Sequence, residues 1–202
     1  MRHNVRVTIS VAHDFTCPWC WIGFQQSRRL KSEFGVDFDW IGYELWPEGL
    51  VHPPSVVVPT PNPDRPLVPS RLELAYTASG VSKPRYTSQS DDIHNALEAV
   101  EHAKGFGVSD QLVERLYTAL WMEGLEINQM DVLVSLADGM VPDVAKMVAD
   151  IEGRVGSANI VSFDDQAYSL GVYNLPTYFI GDKKYAEQPH FVLERALRSV
   201  LE

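Results

Sequence analysis

The sequence predicts an α/β fold with a block of helices set into it. Three features carry that expectation: an alternating strand running into a C-x-x-C segment, a long helical middle, and strand signals that return near the C-terminus. Val5, Val7, Ile9 and Val11 alternate with Arg6, Thr8 and Ser10, the two-residue period of a half-buried strand over 5–12. A helix opens at Pro18, because proline is tolerated at the first helical position, where its missing N–H would have no partner anyway. Cys17 is then the N-cap, its sulfur expected to face the N–H groups of Trp19 and Cys20 at the positive end of the helix dipole, where an anion is favoured. The helix continues to residue 34, with Ile22, Leu30 and Phe34 apolar and Arg28, Arg29, Lys31 and Glu33 polar, and Gly35 ends it. A second strand over 36–45 shows alternating Val36, Phe38 and Trp40, with a slip near Gly42.

Strand, helix, strand is a βαβ opening. Residues 47–69 hold most of the chain's thirteen prolines and read as an irregular excursion that could rim a site. Helices follow over 71–79, 91–106, 110–123, 131–139 and 141–152, punctuated by Gly80, Gly107, Gly124 and Gly153. The α/β pattern resumes with a helix over 162–170, a strand over 177–180, a Gly181-Asp182 turn, a strand over 184–186 and a terminal helix over 189–201. The expected organisation is 1–66 for the first part of the α/β unit with its proline-rich loop, 67–154 for the inserted helices and 155–202 for the remainder.

A chain of 202 residues, 45% hydrophobic, can bury one substantial core. A formal charge of −10 with no Lys/Arg cluster argues against nucleic-acid binding, which relies on neutralising phosphates. No secretory signal precedes the first strand and no apolar run approaches the roughly 20 residues of a membrane span, so a soluble, cytoplasmic protein is expected. Cys17 and Cys20 are the chain's two cysteines. In a reducing cytosol a lone C-x-x-C points to catalysis or metal binding ahead of a structural disulfide. Zinc normally takes four ligands, and with no second C-x-x-C or H-x-H cluster, Cys17, Cys20 and His13 would need a dimer to complete a site. Thiol-disulfide chemistry is the stronger reading, with Cys17 the nucleophile and Cys20, one turn later, the resolving thiol.

Several separated segments resemble one known family. Asp14-Phe15-Thr16-Cys17-Pro18-Trp19-Cys20-Trp21-Ile22-Gly23 resembles the D-F-x-C-P-W-C-x-I-G segment of the FrnE-like branch of DsbA-like oxidoreductases. That branch is related to kappa-class glutathione transferases and 2-hydroxychromene-2-carboxylate isomerases. Residues 116–127 resemble its L-F-x-A-Y-F-x-E-G-x-D-I stretch, and 171–180 its G-V-x-G-V-P-T-F-V-I segment. The resemblance implies a thioredoxin fold with an inserted α-helical subdomain. It also implies a cis-proline at Pro176 beside the cysteines, so that Cys17, Cys20 and Pro176 form the catalytic set and Pro18, Trp19, Leu175 and Thr177 contact substrate.

The expected function is therefore a dithiol oxidoreductase acting on a disulfide-containing or thiol substrate, with no bound cofactor, glutathione as redox partner or cosubstrate, and a homodimer as one possible assembly. The alternative is a glutathione-dependent transferase or isomerase of the kappa or chromene-carboxylate type. Those relatives usually carry serine at the first-cysteine position, so the intact pair counts against it. Trp19 stands where thioredoxin-like oxidants often carry histidine, and an indole cannot become cationic, so a potential less oxidising than that of DsbA is expected. His13 and Asp14 are candidates for tuning the thiols or relaying protons, with strand-end hydrogen bonding an equal reading for Asp14 and the stronger one for His13. Val11 occupies the place of thioredoxin's buried acid. His94, Asn95 and His102 lie on the inserted helices, where a surface or capping role is the stronger expectation. Asp164 and Asp165 read as helix caps. Leu116, Leu120 and Trp121 are either core or a dimer face.

Overall fold

The computed structural model describes residues 7–47, 69–88 and 92–202. The start of the first strand and most of the proline-rich excursion lie outside the described residues. Among the described residues five strands form a mixed sheet. Strand β1 (Thr8–His13) is parallel to β2 (Asp37–Glu44) on one side and antiparallel to β4 (Thr177–Ile180) on the other, and β5 (Lys183–Ala186) pairs antiparallel with β4. The edge strand β3 (Val161–Ser162) lies beside β2, so the order is β3-β2-β1-β4-β5. Because β1 is central, Val11, Ala12 and His13 are all buried, and the strand loses the alternation seen at its start.

Helix α1 (Pro18–Phe34) begins at the predicted Pro18 and ends at Gly35, which takes φ 67° and donates its N–H to Lys31 O at 3.0 Å. Between β2 and β3 lie helices α2 (Arg71–Ser79), α3 (His94–Lys104), α4 (Ser109–Thr118), α5 (Met130–Ala137) and α6 (Val144–Glu152). Helix α7 (Asp165–Ser169) and the terminal helix α8 (His190–Leu201) complete the chain. Helix α2 starts with a capping box, Ser70 Oγ accepting from Glu73 N while Glu73 accepts from Ser70 N. Asp164 caps α7 by accepting from Gln166 N at 2.8 Å, as expected for a carboxylate there.

Three local readings differ from the sequence expectation. The register of β1 on β2 runs unbroken from Thr8–Asp37 to His13–Gly42, so Gly42 marks no bulge. A Cβ there would meet Leu97 of α3 at 3.0 Å, and glycine gives that helix room. The helix expected over 110–123 changes at Ala119 into a five-residue π turn, Ala119–Glu123, closed by Gly124 at φ 72°. Where a helix was expected to start at Ser162, a two-residue edge strand β3 (Val161–Ser162) first pairs with Tyr43 and Glu44. Two residues are too few to show a period.

The inserted helices share the core of the sheet. Tyr117 of α4 is fully buried, stacks on Phe24 of α1 at 4.7 Å between centroids, and touches Phe15 and Trp40 at 4.8 and 6.2 Å. Leu116, Leu120 and Trp121 are 0%, 3% and 3% exposed, which makes them core within one chain and removes them as a dimer face.

Candidate active site

Cys17 is the N-cap of α1 in extended conformation (φ −71°, ψ 118°), and Cys20 sits one turn later. The Cys17 sulfur does not cap the helix as expected. The Cys20 N–H is already taken by the Cys17 carbonyl at 2.9 Å, and the Cys17 thiol turns to donate to Leu175 O at 3.7 Å. That carbonyl belongs to the cis Leu175–Pro176 peptide. The C-x-x-C turn and the 175–176 loop, 158 residues apart in the chain, thus meet at the sulfur.

Two contacts hold that loop against α1. Tyr178 Oη donates to Gly23 O at 2.6 Å and lies 3.0 Å from Ser27 Oγ, while Gly23 packs on the proline ring itself. A Cβ on Gly23 would stand 2.6 Å from Pro176 Cγ and 3.2 Å from Tyr178 Oη. The expected result for Gly23→Ala is a loss of about 1–3 kcal/mol of stability, because ring and helix must separate in a packed site. Chemical denaturation measures it, and an unchanged midpoint would mean that the packing yields at no cost. Thr177 is buried and donates through Oγ1 to Asn174 O at 2.6 Å, so it braces the loop from within. Pro18 and Trp19 are half-buried, and Trp19 and Pro176 line one groove of about 230 Å³. Of the residues expected at the site, Cys17, Leu175 and Pro176 meet at the sulfur, Trp19 borders the same groove, and Thr177 faces inward.

The two thiols differ sharply in setting. Cys20 is 1% exposed, and burial, reinforced by its hydrogen bond and proximity to Cys17, pushes its pKa well up. Cys20 therefore stays protonated while Cys17 occupies the outer position.

Beneath the motif lies a buried polar knot. Asp14 is fully buried and accepts at one oxygen from Thr16 N (2.6 Å) and Thr16 Oγ1 (2.7 Å), and at the other from Leu45 N (2.8 Å). Burial outweighs these three hydrogen bonds and raises the Asp14 carboxyl to about 6. Its negative charge in turn adds to the forces holding the Cys20 thiol protonated. His13 is fully buried among Phe15, Trp40 and Tyr117, and burial followed by the charge of Lys104 lowers its pKa to about 3. Its Nδ1 lies 3.0 Å from Tyr117 Oη, and its Nε2 has no hydrogen-bond partner among the described residues. The neutral imidazole is a packed core group rather than an ion.

Tyr117 and Trp121 complete the support, and sequence reasoning did not single them out as parts of the site. Tyr117 Oη donates to Asp14 O at 3.3 Å and Trp121 Nε1 to Phe15 O at 2.8 Å, so the inserted helix bonds to the backbone just before Cys17. The visible signal was a Tyr and a Trp four residues apart, one turn of a helix, in the segment expected to be helical over 110–123. Trp21 is core, as expected, and donates to Ser82 O at 2.9 Å.

His94, Asn95 and His102 do not reach the thiols. His94 bridges Glu44 (Nδ1 to Oε1, 2.7 Å) and Ser157 (Nε2 to Oγ, 2.9 Å), and the Glu44 hydrogen bond raises its pKa. Asn95 pairs with Asn128, and His102 Nδ1 lies 2.7 Å from Asp150 Oδ2. The His94–Glu44 bond ties α3 to β2, and the other two ties hold parts of the insertion to one another. Among the described residues no three of the His, Cys, Asp and Glu side chains are grouped to hold a metal ion.

The chain superposes on solved structures along nearly its whole length. The cytosolic disulfide reductase DsbM from Pseudomonas aeruginosa, solved with GSH, is 20% identical with a TM-score of 0.63, covering 95% of this chain and 100% of that one. A probable DsbA oxidoreductase from Streptomyces coelicolor, SCO1869, is 19% identical with a TM-score of 0.69, covering 97% and 90%. A 2-hydroxychromene-2-carboxylate isomerase is 14% identical with a TM-score of 0.68, covering 96% of each chain. At these identities the likeness is one of fold. The family model for the DSBA-like thioredoxin domain matches residues 8–198, from β1 and its C-x-x-C turn through the cis-proline loop to α8, and the chain belongs to that family.

Proposed function

We propose that this protein is a thiol-disulfide oxidoreductase in which Cys17 and Cys20 cycle between dithiol and disulfide. The observation that carries this reading is the placement of two free thiols one helical turn apart, the outer one against the carbonyl of the cis-proline loop. The Cys17 thiolate attacks one sulfur of a substrate disulfide, forming a Cys17–substrate disulfide and expelling the other sulfur as a thiolate. Cys20 then loses its proton and attacks Cys17 Sγ. The Cys17–Cys20 disulfide forms, the second substrate thiolate leaves, and two electrons have passed from protein to substrate. The loop at Leu175 offers backbone beside the reacting sulfur, with Trp19, Pro18 and the Pro176 ring as flanking contacts.

Net direction follows from the compartment. In a cytosol poised at about −220 to −320 mV, a more oxidising dithiol couple rests reduced, so the protein works as a reductase or isomerase and glutathione returns its electrons. A cytosolic site of action is part of this proposal, supported by the fold shared with a reductase described as cytosolic. Among the described residues no helix is long and apolar enough to cross a membrane.

Mixing the reduced protein with oxidised glutathione and counting free thiols tests the reading. Both cysteines are expected to disappear together, with return on addition of reduced glutathione in excess. Turnover of an aromatic glutathione-dependent isomerisation substrate without any change in the cysteines would favour the isomerase reading instead.

A further inference from the structure

We propose that Arg71 selects substrates, binding a carboxylate carried by the thiol or disulfide that reacts at Cys17. This deepens the reading just given and rests on it. The guanidinium carbon of Arg71 stands 4.6 Å from the centre of the Trp19 ring, on the residue between the two cysteines' turn and the groove. The same groove is lined by Ile22, Ala75, Pro176 and Pro189, an apolar floor on which Arg71 and Glu187 are the charged groups.

Glu187 holds the arginine in place. One Arg71 nitrogen, Nη2, pairs with Glu187 Oε2, and the Glu187 backbone N–H donates to Pro176 O at 2.9 Å. Glu187 does this at φ 48°, a conformation that L residues rarely adopt. Trp19, Arg71, Glu187 and Pro176 therefore form a chain of contacts that runs from the C-x-x-C turn to the loop whose Leu175 carbonyl meets the outer thiol. Within that run of contacts the carboxylate is sunk, its side chain 10% exposed, whereas the Arg71 side chain is 72% exposed. Guanidinium has five N–H donors in a planar fork. Nη1 and Nε of Arg71 make no hydrogen bond among the described residues, which leaves an outward edge free to take a carboxylate. On a chain of formal charge −10, Arg71 is the cation among the described residues that line this groove, and its exposed edge attracts an acidic substrate.

Single-turnover oxidation of the reduced protein tests the inference without an added reductant, because dithiol plus disulfide gives protein disulfide plus two small thiols. Three probes differ in charge: oxidised glutathione carries carboxylates, bis(2-hydroxyethyl) disulfide is neutral and cystamine is cationic. For Arg71→Ala the second-order rate constant with oxidised glutathione is expected to fall about tenfold, the neutral probe to change less than about twofold, and cystamine to hold or rise. Arg71→Lys should recover part of the loss, since it keeps charge but not the fork, and Glu187→Gln should raise the rate with oxidised glutathione. Equal factors for all three probes would make Arg71 a structural residue and overturn the inference while leaving the dithiol cycle intact. If the reduced wild-type protein reacts with none of the probes, the dithiol reading fails and this inference fails with it.

Discussion

Cys17→Ser is expected to bring disulfide exchange down to the uncatalysed background, whereas Cys20→Ser is expected to react once and stop. Serine's hydroxyl cannot attack a disulfide as a thiolate does, so removing the outer sulfur removes the first step. Removing the inner one leaves Cys17 free to form a mixed disulfide that nothing inside the protein resolves. Mass spectrometry after exposure to oxidised glutathione reads the difference directly: one bound glutathione on Cys20→Ser, none on Cys17→Ser, and an internal disulfide in the wild type. The asymmetry follows from position. Cys17 is at the helix cap beside Leu175 O, and Cys20 is enclosed, its thiol held protonated by burial. Adduct on Cys20 in the Cys17→Ser protein would reverse the assignment of roles.

The second large effect is on stability against pH, and His13 sets its sign. An unfolded histidine titrates near 6.5, while the buried imidazole does so at about 3. Between those values the unfolded chain binds a proton that the native state refuses, so stability falls as pH falls through the window. The full difference is on the order of 5 kcal/mol. Asp14 works in the opposite sense. Its native carboxyl keeps a proton up to about 6, whereas the unfolded one releases it near 3.8. Stability from Asp14 therefore declines as pH rises through that interval, by about 3 kcal/mol in all. Between roughly pH 4 and 6 the two neighbours oppose each other, and outside that interval His13 is the one of the two that contributes.

His13→Leu removes the imidazole and leaves Tyr117 its bond to Asp14 O. Urea denaturation of both proteins from pH 7 to 3.5 cancels the titrations they share. The variant is expected to gain several kcal/mol relative to wild type as pH falls. Parallel curves would show that His13 is protonated in the native core.

Much of the fold was legible because its signals are local. Pro18 at the first helical position and Gly35 and Gly80 at helix ends act within one turn of themselves, and helix α1 starts and stops, and α2 stops, where those residues stand. The cysteine pair was legible for the same reason. The cis-proline loop came from resemblance, since proline spacing alone carries little information about the isomer. What the sequence did not show was set by distant partners. The sulfur of Cys17 was expected to cap its own helix, but its acceptor lies 158 residues away. Trp121 read with Leu116 and Leu120 as an apolar face and Tyr117 was not singled out, and only the packing of the insertion against the sheet reveals that Tyr117 and Trp121 bond the backbone of Asp14 and Phe15. Arg71 was only the first residue of an expected helix until α2 was seen to place it over Trp19.

The most direct test of the dithiol cycle is the reduction potential of the Cys17–Cys20 couple, followed by tryptophan fluorescence across graded glutathione buffers. The expected result is one reversible two-electron transition with a midpoint more negative than about −120 mV, the value of a strong DsbA-type oxidant, because Trp19 cannot supply the cation that a histidine would. A midpoint at that value would contradict the role given to Trp19, and the absence of any reversible transition would contradict the cycle itself.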